Sequence, residues 1–200
     1  MLNAQEKSAK DFKIEGAAAY KQKDYKTALV AFEQAIKLYE ADNNIDTTLY
    51  FNAGYCAYKT KDYDKAFDYL NTSLKMNYKP CTSKLLIATV LKKKNKAEEM
   101  LAMAEEGMNT CPKQKSKFKK LIAGHHKKVA LKAYNKASQK LAEINSLATT
   151  NPAKYKTEMK KVQQMFKKAL VLLEKAKSYK EDQAILDAIT QSEKIINTKL

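Results

Sequence analysis

Small and apolar residues recur along this chain at steps of three and four, the spacing that lays a single stripe along an α-helix. Ala28, Phe32 and Ala35 form one such stretch, Ala66, Leu70 and Ser73 a second, and Phe166, Ala169, Leu170 and Leu173 a third. The pattern predicts an all-α chain with helices near 5–22, 25–40, 46–59, 63–77, 81–93, 95–109, 114–147, 152–179 and 182–198. Asp24 and Asp62 stand just before helix starts, where a side-chain oxygen can accept from an unpaired backbone N–H. Pro80, Pro112 and Pro152 fall at or near helix starts, where a missing N–H costs little. Asn151-Pro152 marks the tip of a long helical hairpin.

The first two stripes belong to a longer repeat. Lys23-Asp24-Tyr25 and Lys61-Asp62-Tyr63 precede them at an offset of 38 residues. Upstream of each lies Gly-x-x-Ala-Tyr, at Gly16, Ala19 and Tyr20 and at Gly54, Ala57 and Tyr58, with Phe12 or Tyr50 four residues before the glycine. Gly and Ala let two antiparallel helices approach closely, and Phe32 and Leu70 fill the next layer. This arrangement resembles the tetratricopeptide repeat (TPR), a helix–turn–helix unit of about 34 residues. A weaker third copy is expected on Ala97, Leu101 and Ala104, with Leu85, Ala88 and Leu91 as its first helix. A fourth match, Ala169, Leu173 and Ala176, lies 72 residues later, and the gap reads as one stretched repeat with two long helices. The resemblance implies a TPR-type α-solenoid of antiparallel helix pairs, with an extended long-helix C-terminal hairpin. The last helix, with Ile185, Ile189, Ile195 and Ile196, would cap the open end.

Charge divides the chain differently. All 38 basic residues among its 200 are lysine, and the formal charge is +16. Residues 1–110 hold 17 Lys and 15 Asp plus Glu, a net of +2, whereas residues 111–200 hold 21 and 7, a net of +14. Two regions follow: about three helix pairs over 1–110, and a basic hairpin with its capping helix over 111–200, packed on the same solenoid. Only 4 Gly and 3 Pro occur, too few for a turn-rich β-sandwich or barrel.

Little in the chain asks for catalysis, and no cofactor or metal is expected. Cys56, Cys81 and Cys111 share no metal-ligand spacing, and Cys56 reads as a small core residue. Cys81 and Cys111 fall at the same end of an antiparallel helix pair, where they either form a disulfide or remain free thiols. His125 and His126 are adjacent on a helix, pointing about 100° apart, and read as a surface pair rather than metal ligands. No nucleophile elbow or glycine-rich phosphate loop is present.

The remaining candidate is a binding surface. In the proteins this chain resembles, the first helices of successive repeats line a concave groove. The motif carries Lys13, Ile14, Ala17 and Tyr20 onto that face in the first repeat, and Phe51, Asn52, Tyr55, Tyr58 and Lys59 in the second. The implied function is a noncatalytic adaptor or scaffold that takes a peptide or helix of a partner protein, with some negative charge, into the groove. Tyr20 and Tyr58 can equally pack between helices. One subfamily grips a C-terminal carboxylate with two lysines, two asparagines and an arginine. Lys13 and Asn52 fit two of those positions, while Ala17 and Ser83 replace an asparagine and the arginine, so that role is not expected here.

Lys127, Lys128, Lys132, Lys136 and Lys140 recur among Val129, Leu131, Tyr134 and Leu141 as the basic face of an amphipathic helix. An electrostatic binder of nucleic acid or anionic surfaces through 113–180 is the alternative function. The absence of arginine, the usual bidentate phosphate ligand, weighs against nucleic acid. Residues 2–6 are compatible with the tail of a trimmed signal sequence, and residues 134–178 loosely resemble exported proteins of Gram-negative bacteria. A periplasmic or secreted location is expected, with the cytoplasm as alternative. The oligomeric state is open.

Overall fold

The computed structural model describes residues 7–199. The first residues, on which the expected helix start at 5 and part of the export expectation rest, lie outside the described residues. Ten α-helices are present among the described residues: α1 (Ala9–Lys21), α2 (Tyr25–Ala41), α3 (Thr47–Lys59), α4 (Tyr63–Lys75), α5 (Pro80–Lys93), α6 (Ala97–Thr110), α7 (Lys115–Ile144), α8 (Leu147–Thr150), α9 (Pro152–Tyr179) and α10 (Gln183–Ile196). The fold is all-α, built from antiparallel helix pairs of the solenoid kind, α1 with α2, α3 with α4 and α5 with α6, each in contact with the next.

Local chemistry sets the helix starts. The carboxylates of Asp24 and Asp62 accept from the N–H groups of Thr27 and Lys65 at 3.1 and 3.2 Å. Ser8 and Asp11 cap α1 reciprocally, each side chain accepting from the other's N–H, at 3.2 and 2.9 Å. Pro80 and Pro152 open α5 and α9.

One turn geometry recurs between the helices of each pair. The N–H groups of Asp24, Asp62 and Lys96 donate to the carbonyls of Ala19, Ala57 and Leu91 at 3.0, 2.9 and 3.0 Å. The preceding residues, Lys23, Lys61 and Asn95, all take left-handed backbone, with φ of 63°, 66° and 58°. These bonds fix the repeat register. Gly54 corresponds to Ala88, Ala66 to Met100, Leu70 to Ala104 and Ser73 to Gly107, each 34 residues apart. The earlier offset of 38 arises because α2 has 17 residues and α4 only 13.

The expected third copy on Ala97, Leu101 and Ala104 is therefore corrected. Met100, Ala104 and Gly107 are the buried residues of α6, while Ala97 and Leu101 are half-buried. The large residue has moved to the position that Ala28 and Ala66 hold, so a pattern of small, large, small misaligned the copy by one turn.

Close helix approach is where the glycines matter. A Cβ on Gly16 would lie 2.7 Å from the Phe32 ring, and one on Gly54 would lie 2.8 Å from Leu70 Cγ. In the first two repeats the first helix thus receives the large side chain of its partner directly against its backbone.

Adjacent repeats join through tyrosine and glutamate. Tyr69 donates its hydroxyl to Glu33 at 3.1 Å, Lys65 pairs with Glu33 at 2.7 Å, and the Tyr50 hydroxyl donates to Glu40. Burial and Glu40 push the Tyr50 phenol up to about 12, and burial together with Glu33 raises Tyr69 as well. Unfolded tyrosines ionise near pH 10. The folded state keeps both phenols neutral, so their stabilisation is complete below pH 10 and is lost as pH rises toward 12. Denaturation midpoints measured from pH 8 to 11.5 are expected to decline above pH 10, and Tyr50→Phe with Tyr69→Phe should flatten the decline. An identical slope in that double variant would contradict the assignment.

The chain forms two compact units, one up to Phe118 and one from Lys119 onward. Phe118, near the start of α7, is fully buried and belongs to the first because its ring fills the space beside Gly107. In the second, Ala169, Leu173 and Ala176 are buried, in the expected stripe. Ile185 and Ile189 of α10 pack with Leu173, Ala176 and Ala130. The Gln163 amide closes the end of α10, donating to the carbonyls of Ile195, Ile196 and Thr198 at 3.2, 3.2 and 2.9 Å. The helix expected over 114–147 ends at Ile144, and the short α8 occupies the hairpin tip. Among the described residues, no helix is long and apolar enough to cross a membrane.

Candidate functional site

The first helices of the three pairs, α1, α3 and α5, carry the candidate surface. By repeat register, Lys13, Phe51 and Leu85 are equivalent, as are Ala17, Tyr55 and Thr89, and Tyr20, Tyr58 and Lys92. All three helices end on lysine, at Lys21, Lys59 and Lys93.

The turn after α1 folds Tyr25 back beside Tyr20, and α3 brings Tyr55 against both. Ring centroids lie 5.8 Å apart for Tyr20 and Tyr25, 5.6 Å for Tyr20 and Tyr55, and 5.9 Å for Tyr25 and Tyr55. All three rings are half-buried. The Lys59 ammonium stands over Tyr25 at 5.2 Å and Tyr55 at 5.9 Å. The result is an aromatic platform with a cation at its edge. Burial raises the Tyr20 phenol, with Tyr55, Cys56 and Tyr25 adding to the effect. Tyr20 therefore presents a neutral hydroxyl.

A second cluster forms one repeat on. Phe51 and Tyr78 pack edge to face at 5.9 Å, with the Lys79 ammonium 4.6 Å from the Phe51 ring centroid. Phe51 is only 6% exposed, so it supports this surface from beneath more than it lines it. Asn52 and Tyr58 are half-buried, Lys59 is exposed, and Ile14 is 58% exposed.

Lys13 is already engaged. Its ammonium pairs with Asp46, in the loop before α3. Burial alone would raise the Asp46 carboxyl, but the bonds from Lys13 and Thr48 hold it below the usual aspartate value. Ser83, at the arginine position of the carboxylate-gripping pattern, is fully buried and shares a 3.3 Å hydrogen bond with Ser73. Neither residue is placed to hold a free carboxylate.

The five lysines of the long hairpin divide. Lys127 pairs with Asp182 at 2.6 Å and Lys140 with Glu143 at 3.1 Å. Lys128, Lys132 and Lys136 are exposed at successive four-residue steps of α7. The reading of the histidines as a surface pair is corrected. His126 is 9% exposed and stacks on Tyr179, at 5.0 Å and 22°, with His125 edge-on to it. The stack draws His126 into the interface between α7 and the end of α9. Cys56 is buried as expected, and burial pushes its thiol up to about 12. Cys81 and Cys111 are joined in a disulfide. Among the described residues, no three His, Cys, Asp or Glu side chains gather as a metal cage.

Sequence reasoning missed Tyr25, Asp46, Tyr78 and Lys79 as members of this surface. Tyr25 had been read only as a turn residue, and the others lie in or beside loops that repeat register does not reach.

The tetratricopeptide repeat family profile matches residues 15–79, which span the Tyr20–Tyr25–Tyr55 cluster and both glycine-against-side-chain crossings. Residues 15–79 carry tetratricopeptide repeats. It is 27% identical over 158 residues to human Tetratricopeptide repeat protein 4, a match covering 73% of this chain and 40% of that protein. The match thus spans less than half the length of that curated relative. Among solved structures, a TPR repeats protein from Bacteroides fragilis NCTC 9343 superposes with a TM-score of 0.54 at 22% identity, covering 94% of this chain and 99% of the other. A candidate protein-binding protein from Bacteroides ovatus ATCC 8483 gives 0.52 at 18% identity, covering 96% and 100%. These likenesses establish the TPR-type helical fold.

Proposed function

We propose that the chain is a noncatalytic adaptor that holds an extended or helical segment of a partner protein across α1, α3 and α5. The observation that carries this reading is the half-buried Tyr20–Tyr25–Tyr55 platform beneath Lys59. Aromatic side chains supply rigid apolar area at low entropy cost, and their hydroxyls give directional bonds. The row Lys21, Lys59 and Lys93 favours a segment with acidic residues and speeds its approach. Nucleic acid is the weaker alternative. Two of the five hairpin lysines already pair with carboxylates, and no arginine is present to clamp phosphate. The Cys81–Cys111 disulfide supports an oxidising compartment, the periplasm or outside the cell.

Affinity capture from the native compartment, quantified by mass spectrometry, tests the groove. Tyr55→Ala and Lys59→Glu should each reduce recovery of the captured protein about tenfold or more, the expected size for a hot-spot residue. Circular dichroism should remain that of the parent. Equal recovery by both variants would remove the groove assignment.

A further inference from the structure

A second surface of the first repeat lies away from the tyrosine platform, and Lys7 reaches onto it, with its ammonium 5.5 Å from the Phe12 ring centroid. Between α1 and α2 runs a shallow groove lined by Phe12, Glu15, Lys26, Thr27, Val30 and Ala31. The second repeat shows what this face does inside an array. Phe12 and Ala31 correspond, 38 residues on, to Tyr50 and Tyr69, and Thr27 corresponds to Lys65. Those three residues receive Glu40 and Glu33 of the preceding helix α2. The α1–α2 groove is therefore a stacking face, and among the described residues only α1 and α2 line it.

Its chemistry departs from that of the second repeat in an informative way. Val30 is 54% exposed, and α4 fills the equivalent outward position with Asp68. The tyrosines and lysine that bind glutamate in the second repeat are here Phe12, Ala31 and Thr27. The face has exchanged polar partners for apolar area. Its charges lie on opposite walls, with acidic Glu15 on α1 and basic Lys26 on α2.

Opposite charges on the two walls of an apolar groove are self-complementary. A two-fold axis that lays α1 of one copy over α2 of another brings Glu15 to Lys26 twice and sets Phe12 of each copy toward Val30 of the other. We propose that this face is a symmetric dimer interface between two copies of the chain. The patch comprises about six residues, below the area of a tight interface, so association is weak and concentration-dependent. Glu15 pairs with Lys7 at 2.7 Å in the single chain, and it exchanges or shares that partner in the dimer. A dimer of this kind presents two tyrosine platforms and raises the apparent affinity for a partner with repeated segments.

Sedimentation velocity of the full chain from about 1 μM to 1 mM tests the proposal. The parent is expected to shift from monomer toward dimer, and Val30→Glu should weaken dimerisation at least tenfold. Val30 is solvent-facing, so this variant should retain the parental circular dichroism. Glu15→Lys and Lys26→Glu should each remain monomeric alone, and an equimolar mixture should recover a heterodimer. Recovery in the mixture is the decisive positive result, because loss of folding cannot produce it. A parent that stays monomeric at 1 mM would overturn the proposal, leaving the face to a helix of another protein. A dimer insensitive to all three substitutions would overturn it too. These residues are distinct from the platform, so either outcome leaves the capture experiment with Tyr55→Ala to be judged separately.

Discussion

Replacing Phe118 with alanine is expected to destabilise the repeat unit by about 3–5 kcal/mol, the range for a fully buried aromatic. The ring is 0% exposed and occupies the space a side chain on Gly107 would need, since a Cβ there would lie 2.3 Å from Phe118 Cζ. Gly107 occupies the place that Ala35 and Ser73 hold in the earlier repeats, so α6 gives up its side chain at the one position where α7 inserts a ring. A knob this deep leaves a cavity that its neighbours cannot readily close, because α6 and α7 are tied by the short Pro112–Gln114 turn. Chemical denaturation checks the value, with Phe118→Leu as a milder control that retains most of the volume. Gly107→Val approaches the same contact from the other side by overpacking, and it too should lower the denaturation midpoint. A loss below 1 kcal/mol for Phe118→Ala would show that the ring is not a keystone of the packing against Gly107.

The Gly107–Phe118 contact also shows where sequence reading reached and where it stopped. The first two repeats were legible because each repeats a glycine, an Asp-Tyr turn and a large residue at fixed intervals. The structure presses Gly16 on Phe32 and Gly54 on Leu70 as that pattern implies. In the third repeat the volumes are permuted: Met100 is large, Ala104 is small, and Gly107 is empty. The large residue sits one turn earlier than in the first two repeats, and a residue-by-residue match cannot see that. The turn hydrogen bonds could, because the left-handed residue and the bond it permits do not depend on side-chain size.

The surface was legible in the same graded way. Tyr20, Tyr55 and Lys59 follow from helix register, and the structure brings them together. Tyr25 joins them only because the turn reverses the chain. The engagement of Lys13 with Asp46 depends on the path of a loop, which periodicity does not describe.

Removing the disulfide should have an effect of comparable size. Cys81 lies in the first turn of α5 and Cys111 follows the last residue of α6, 30 residues apart in sequence. Closing a loop of that length restricts the unfolded chain enough to stabilise the fold by about 3–4 kcal/mol on the chain-entropy argument. Few other links tie these ends. Lys84 reaches Glu106 at 2.7 Å and Thr110 at 3.1 Å, and Gln114 donates to Thr82 at 3.2 Å. Exposed or partly exposed pairs of this kind contribute well under 1 kcal/mol each, so they do not replace the covalent tie. The double variant Cys81→Ser with Cys111→Ser should lose most of the 3–4 kcal/mol, and reduction of the parent should lower its melting temperature to match. Thiol counting gives the direct check. Cys56 is buried, and its thiol stays protonated up to about pH 12, so the folded protein should take up almost no alkylating reagent at pH 8. Denatured without reductant it should take up one equivalent, and after reduction three. Three equivalents without reductant would mean that the bond does not form, and the argument for an oxidising compartment would fall with it.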